Sequence, residues 1–123
     1  MAGQLRVINL EDAMPTVKEA VGRLQLEIKL AKSQGVSVLK VIHGFGSTGR
    51  GGKIRPAVHR ELEKYRSKGW IEAYIPGEKL SIFDENTRWA IRCCPAFRKD
   101  RDIERWNSGI TVIVLQKKGS RTV

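Results

Sequence analysis

Cysteine is nearly absent from this chain of 123 residues, whose two cysteines, Cys93 and Cys94, are adjacent. Adjacent cysteines form neither a structural disulfide nor a Cys-x-x-Cys redox pair, and they rarely chelate one zinc ion together. A disulfide-stabilised fold and a metal site are therefore both disfavoured. We expect two buried, small apolar side chains and a reducing compartment.

Long apolar runs and acidic residues are also scarce. No run approaches the roughly 18 apolar residues that a membrane span needs, and the N-terminal residues lack a secretory signal pattern, so we expect a cytoplasmic protein without a membrane partner. Thirteen Asp and Glu stand against 23 Lys and Arg, a net charge of +10. Such an excess favours polyanionic partners, and nucleic acid fits better than an acidic protein.

Strand and helix patterns alternate along the chain. Apolar and β-branched segments predict strands, and apolar residues at helical spacing predict helices, the first opened by a capping box of Thr16 and Glu19 and ended by Gly35. The predicted strands are 5–10, 36–42, 70–75 and 110–115, and the predicted helices are 16–33 and 54–67. The order β-α-β-α-β-β predicts an α/β two-layer sandwich: a mixed sheet of about four strands with two main helices.

Two regions need separate predictions. The strand 36–42 is apolar at most positions, so we expect it to be central and covered on both faces, with Lys40 as its one charged interior residue. Residues 78–107 show no long periodicity, although 85–93 and 100–106 could each form a short helix. We interpret the alternating charges of residues 98–102 as a solvated face.

A histidine and five glycines follow the second strand, at His43 and within residues 44–52. Glycines allow a backbone to approach a ligand closely, and Lys40, Arg50, Lys53 and Arg55 bracket the loop with positive charge. This pattern predicts a phosphate-binding loop. The expected nucleic-acid contacts are Gly44, Phe45, Gly46, Ser47, Arg50, Gly52, Lys53 and Arg55.

Two other glycine motifs fit poorly. Residues 44–49 match G-x-G-x-x-G, but Arg50, Gly51 and Gly52 intervene before a helix is expected, and the chain is too short for a doubly wound dinucleotide-binding fold. The Walker A pattern fails because Ile54 follows Lys53 where a hydroxyl is required for Mg²⁺.

The chain resembles the Smr (small MutS-related) domain family. The resemblance rests on His43-Gly44-Phe45-Gly46 at a strand end, the Ile54-Arg55 pair that opens a helix, and the closing strand from Gly109 to Leu115. It implies a single Smr-like domain over 1–123, with its core at about 5–77 and 109–117, an insert at 78–107 and a basic tail at 118–123.

The resemblance implies nucleic-acid binding and, in a nuclease, structure-dependent cleavage of DNA or RNA with His43 as a catalytic residue and Mg²⁺ as a candidate cofactor. The first strand departs from the family pattern, since Asn9 replaces an expected aspartate and Glu11 an expected histidine. Glu11 is the second catalytic candidate, and Asp12 stands beside it. The departure favours binding over catalysis. A small phosphate- or nucleotide-binding protein and a protein-interaction module remain the alternatives, and the oligomeric state is open.

Several side chains have both a functional and a structural interpretation. His43 could act in acid–base chemistry or could fix the loop, whereas His59 is interpreted as a surface residue. Phe45, Trp89 and Trp106 could stack on unpaired bases, with core packing as the default for the two tryptophans.

Overall fold

A four-stranded mixed sheet forms the centre of the structure, a computed structural model that describes residues 3–12, 15–44 and 50–116, with only the backbone described at residues 50 and 51. Its elements are β1 (Gln4–Asn9), α1 (Val17–Ser33), β2 (Val36–Ile42), α2 (Arg50–Ser67), β3 (Ala73–Pro76), α3 (Glu85–Cys93) and β4 (Ile110–Val114), with 3₁₀ turns at Gly77–Lys79 and Pro95–Lys99. The predicted α/β class and element order are confirmed.

The sheet order is β1-β2-β4-β3. β1 pairs parallel to β2, and β4 runs antiparallel to both β2 and β3. The ends of β1, β2 and β3 therefore lie at one edge of the sheet, together with the start of β4, where Ile42 pairs with Ile110 and Pro76 with Thr111. We call this edge the carboxyl edge. In open α/β sheets, ligands bind at the carboxyl ends of strands.

One face of the sheet is covered by α1 and α2. The capping box of α1 is confirmed, since the Thr16 hydroxyl accepts from the Glu19 backbone N–H and the Glu19 carboxylate accepts from the Thr16 N–H. Apolar side chains at helical spacing, among them Leu24 and Ile28 of α1 and Leu62 of α2, pack with alternate residues of the strands in one buried cluster. The predicted amphipathic faces thus contact the sheet.

Helix α2 begins at Arg50, earlier than the predicted start at Ile54. Gly52 and Lys53 therefore lie in its first turn, and Pro56 lies inside the helix. Glycine disfavours helix by about 1 kcal/mol, which is why the sequence pattern placed these residues in the loop. Burial of Ile54 and Val58 against the sheet outweighs that preference.

The opposite face of the sheet is covered by residues 78–107. Phe97 and Ala90 are fully buried there against Val38 and Ile75, so this segment adds a third layer to the two that were predicted. The helix predicted over 85–93 is confirmed as α3, and Cys93 and Cys94 are buried as expected.

The second short helix, predicted over 100–106, is wrong because these residues form turns. The Asp100 carboxylate accepts from the backbone N–H of Asp102 at 2.9 Å. Such local side-chain bonds compete with helical ones. Glu104, at φ 66°, also has a left-handed backbone that no α-helix contains.

Lys40 is a buried ion and not part of the charge around the loop, contrary to the sequence prediction. It is 6% exposed, on the face covered by residues 78–107. Its Nζ donates to Asp100 at 2.9 Å and forms a salt bridge with Asp102. The interpretation of residues 98–102 as a solvated face is wrong for Asp100 and Asp102, because their carboxylates are buried with Lys40. Burial raises the pKa of Asp102, but the bonds from Lys40 and Asn107 outweigh it and hold that pKa below its usual range.

None of the helices in the described ranges is long and apolar enough to cross a membrane.

We expect Lys40→Met to lower the free energy of unfolding by about 3–5 kcal/mol, since Asp100 and Asp102 would lose their cation while remaining buried. Urea unfolding measures the change. Lys29→Met, at an exposed position of α1, is the matched control and should change stability little. A loss below about 1 kcal/mol in Lys40→Met would contradict a central role for this ion cluster.

Candidate functional site

The carboxyl edge brings together polar groups from several of the elements that end or begin there. Glu11 follows β1, and His43 and Gly44 follow β2. Thr111 is the second residue of β4, at the start of that strand. Helix α2, which covers one face of the sheet, contributes Arg55 and His59 to this edge. The two catalytic residues predicted from the sequence, His43 and Glu11, thus reach the same edge, since Glu11 contacts Gly44 directly.

His43 is fully buried and both of its ring nitrogens are bonded. Nδ1 lies 2.7 Å from the carbonyl oxygen of Gly44, and Nε2 lies 2.8 Å from the hydroxyl of Thr111. Its backbone N–H and that of Gly44 both donate to the carbonyl of Gly109, at 3.0 and 2.9 Å. His43 therefore fixes the start of the glycine segment against the start of β4.

His59 shares the Thr111 hydroxyl with His43. Its Nε2 lies 2.9 Å from Thr111 Oγ1, and the two imidazole rings meet edge to face, 5.8 Å between centroids. His59 is half-buried, so its interpretation as a surface residue is wrong. The sequence contained a signal for this partial burial. His59 is next to Val58, which faces the core, and therefore lies at the border of the apolar face of the amphipathic helix.

The hydrogen-bond partners assign the tautomers of both histidines. The Gly44 carbonyl only accepts, so His43 Nδ1 carries the proton and neutral His43 accepts at Nε2. Thr111 has one proton and donates it to His43. His59 Nε2 must then donate to Thr111, which leaves the lone pair of neutral His59 on Nδ1. The result is a one-directional chain from His59 through Thr111 to His43.

Burial keeps both imidazoles neutral. Desolvation lowers the pKa of His59 to about 4, and the nearby Arg55 guanidinium and His43 ring act in the same direction. Desolvation also lowers the pKa of His43, against the opposing effect of its bond to the Gly44 carbonyl. At neutral pH, Nδ1 of His59 can therefore accept a hydrogen bond or a proton.

Glu11 lies against Gly44, where the chain turns into the glycine segment. Gly44 has φ +75°, and a Cβ built on it would lie 2.2 Å from Oε2 of Glu11. Glycine takes this backbone conformation without strain, whereas any side chain here would be strained and would displace the Glu11 carboxylate. The Asn9 side-chain oxygen accepts from the Glu11 backbone N–H at 2.8 Å, which fixes the turn at the end of β1.

The basic residues predicted to contact phosphate are not equivalent. Arg55 donates to the Ser108 carbonyl through Nε at 3.0 Å and forms a salt bridge with Glu78, so part of its guanidinium is already engaged. Gly52 and Lys53 are exposed in the first turn of α2. The predicted contacts at Phe45, Gly46, Ser47 and the Arg50 side chain lie outside the described residues, as does the tail 118–123.

A magnesium site has no supporting cluster in the described part of the chain. Residues 3–12, 15–44 and 50–116 contain no group of three or more His, Cys, Asp or Glu side chains that could hold a metal ion. The carboxylate of Glu11 beside Gly44 is a single ligand, whereas Mg²⁺ is usually held by one or two carboxylates with waters and phosphate oxygens.

These elements define an α/β domain whose polar groups converge at the carboxyl ends of its parallel strands. The Smr domain profile matches residues 8–79, more than half of the chain, and the chain belongs to the Smr domain family. Members of this family bind nucleic acid, and some have endonuclease activity.

A solved structure shows the same fold. The crystal structure of the Smr domain of Thermus thermophilus MutS2 is similar to this chain with a TM-score of 0.57 and 19% sequence identity, over 91% of this chain and 99% of that one. No curated protein matches this sequence.

We expect stability to fall as the pH falls from about 6.5 toward about 4. The folded-state pKa of His59 lies below its ordinary value, so the unfolded chain binds more protons in this window and acidification favours unfolding. Urea unfolding at several pH values tests this. His59→Gln, which can still donate to Thr111, should show a shallower pH dependence, and identical slopes for both proteins would contradict the assignment.

Proposed function

We propose that this protein binds the phosphate backbone of DNA or RNA at the carboxyl edge, as a single Smr domain. The observation that carries the proposal is an exposed lysine, Lys53, in the first turn of α2 at that edge, in a chain of net charge +10. The amino end of a helix has unpaired backbone N–H groups and a positive dipole, both of which favour phosphate. Family membership supports the same class of ligand.

The proposed contacts are those expected from the sequence. Arg55 has a second role in this proposal, because its bonds to Ser108 and Glu78 join α2 to the residues that precede β4. A phosphate bound at the edge would meet the remaining N–H groups of its guanidinium. The proposed set is Gly44, Phe45, Gly46, Ser47, Arg50, Gly52, Lys53 and Arg55.

We expect Lys53→Ala to weaken binding to DNA at low salt and to reduce the slope of log affinity against log salt by about 0.9, the value for one phosphate on a duplex. Fluorescence anisotropy of a labelled duplex at several salt concentrations measures both. Lys68→Ala, exposed just after the opposite end of α2, is the matched control.

Equal losses in the two variants would place the contact elsewhere. A shallow salt slope for the unmodified protein, with binding limited to mononucleotides, would support a small phosphate ligand. A protein partner bound equally well by Lys53→Ala would support an interaction module.

Endonuclease activity is the second candidate function, and one observation favours it. His59 has a neutral imidazole with its lone pair on Nδ1, bonded through Thr111 to the buried His43. In this proposal, Nδ1 of His59 takes the proton of an attacking water or 2′-hydroxyl, while its Nε2–H stays bonded to the Thr111 hydroxyl and fixes the orientation of the ring. His43, being fully buried, acts through the threonine hydroxyl and not on the nucleic acid directly.

Incubation with supercoiled plasmid and structured RNA, with and without Mg²⁺, tests this candidate. We expect His59→Gln to retain binding and to lose cleavage on the order of 100-fold, the usual contribution of a general base. His43→Ala should also lose cleavage, with circular dichroism used to verify folding. Cleavage undiminished in His59→Gln would point to a contaminating nuclease, and binding without any cleavage would leave the binding function alone.

A further inference from the structure

Two aromatic side chains of residues 78–107 stand out from the surface. Phe83 is 84% exposed and Trp106 is 76% exposed. Core packing, the default expected for both tryptophans, is therefore wrong for Trp106. Trp89 does pack against the buried residues on the sheet face that residues 78–107 cover. We propose that Phe83 and Trp106, which we call the aromatic ledge, stack on unpaired bases of a single-stranded nucleic acid. This rests on the proposed nucleic-acid binding and adds its substrate class.

The backbone is strained where it presents Trp106. Trp106 has φ 57° and Glu104 has φ 66°, the only positive values at non-glycine residues in the described ranges. A bulky residue in the left-handed region is a genuine outlier, and such strain persists only where the surroundings enforce it. An exposed tryptophan in a strained turn thus combines two features that core packing does not explain.

Hydrogen bonds fix both halves of the ledge in place. The backbone N–H of Glu104 donates to the Leu80 carbonyl at 2.8 Å, and the Glu104 carboxylate accepts from the Ile82 N–H at 2.9 Å and from the Ser81 hydroxyl at 3.0 Å. The turn that carries Phe83 is therefore tied to the turn that carries Trp106. A preformed aromatic surface loses little conformational entropy when it binds.

Trp106 lies close to the carboxyl edge. Three residues later, the Gly109 carbonyl accepts from the backbones of His43 and Gly44. Three residues span at most about 11 Å, so the Cα atoms of Trp106 and Gly109 are no further apart than that. A strand whose phosphates contact the edge could place a neighbouring base on the indole.

The charge of residues 78–107 favours nucleic acid as the occupant over an apolar protein surface. All seven basic residues of this segment are exposed. They are Lys79, Arg88, Arg92, Arg98, Lys99, Arg101 and Arg105. Acidic side chains of the same segment form bonds within the protein. They are Glu78, Asp84, Asp100, Asp102 and Glu104.

This combination specifies unpaired bases. Single-strand binding proteins combine a cationic surface that follows the backbone with aromatic side chains on which bases stack. Bases within a duplex already stack on each other and present only their edges in the grooves. The aromatic ledge should therefore distinguish single-stranded nucleic acid from duplex, whereas Lys53 should contact the phosphates of both.

Binding of a labelled oligo(dT) and of a duplex of the same length, measured by anisotropy, tests the inference. We expect Trp106→Ala to weaken oligo(dT) binding at least about fivefold and duplex binding less than about twofold. Trp106→Phe should restore most of the affinity, and Phe83→Ala should act like Trp106→Ala. Leu26→Ala, at a position of α1 that is 56% exposed, is the matched control for loss of an exposed apolar side chain.

The outcomes separate the inference from the proposed function. Duplex binding with an oligo(dT) affinity unchanged in Trp106→Ala would overturn the aromatic ledge and leave phosphate binding intact, as would equal losses on both probes. An unmodified protein that binds neither probe would overturn the proposed function, and the ledge with it.

Discussion

The buried ammonium of Lys40 is the constraint on which much of the molecule depends. A lysine in the interior of a central strand requires counter-charges, and residues 78–107 provide them through Asp100 and Asp102. These bonds hold the segment against the second face of the sheet. The turns after Asp102 then present Trp106 and lead into Gly109, whose carbonyl holds the backbones of His43 and Gly44. An ion pair beneath one face thus helps to shape the edge where the site lies.

The two faces of the sheet have different roles at this edge. His43 and Thr111 lie on the face covered by α2, where the threonine hydroxyl joins the two imidazoles and fixes their tautomers. Lys40 lies three residues before His43, an odd number, so its side chain points to the other face of the sheet. The polar chain and the charged cluster are therefore separated by the sheet, so that the histidines are desolvated by apolar packing and not paired with the buried carboxylates.

This member of the Smr family differs from the pattern that its resemblance implies at the end of the first strand. Asn9 and Glu11 occupy the positions expected for an aspartate and a histidine, and they form a turn that places a carboxylate against Gly44. A carboxylate only accepts hydrogen bonds, whereas an imidazole at this point could donate to a phosphate oxygen. His59, from α2, supplies an imidazole to the edge by another route. The site thus has two histidines, and the second comes from helix α2 and not from the end of β1.

The sequence by itself determined the fold class, the order of the elements, the capping box of α1 and the central position of β2, because apolar periodicity and capping act over a few neighbouring residues. It also indicated His43 and Glu11 as candidate site residues, since both follow predicted strands. Only the tertiary structure decided the partners of Lys40, the pairing of Arg55 with Glu78, and the exposure of Trp106. It likewise decided the sharing of Thr111 between His43 and His59, which are 16 residues apart in the chain. These contacts join segments distant in sequence, and no local pattern encodes which polar side chain another will meet.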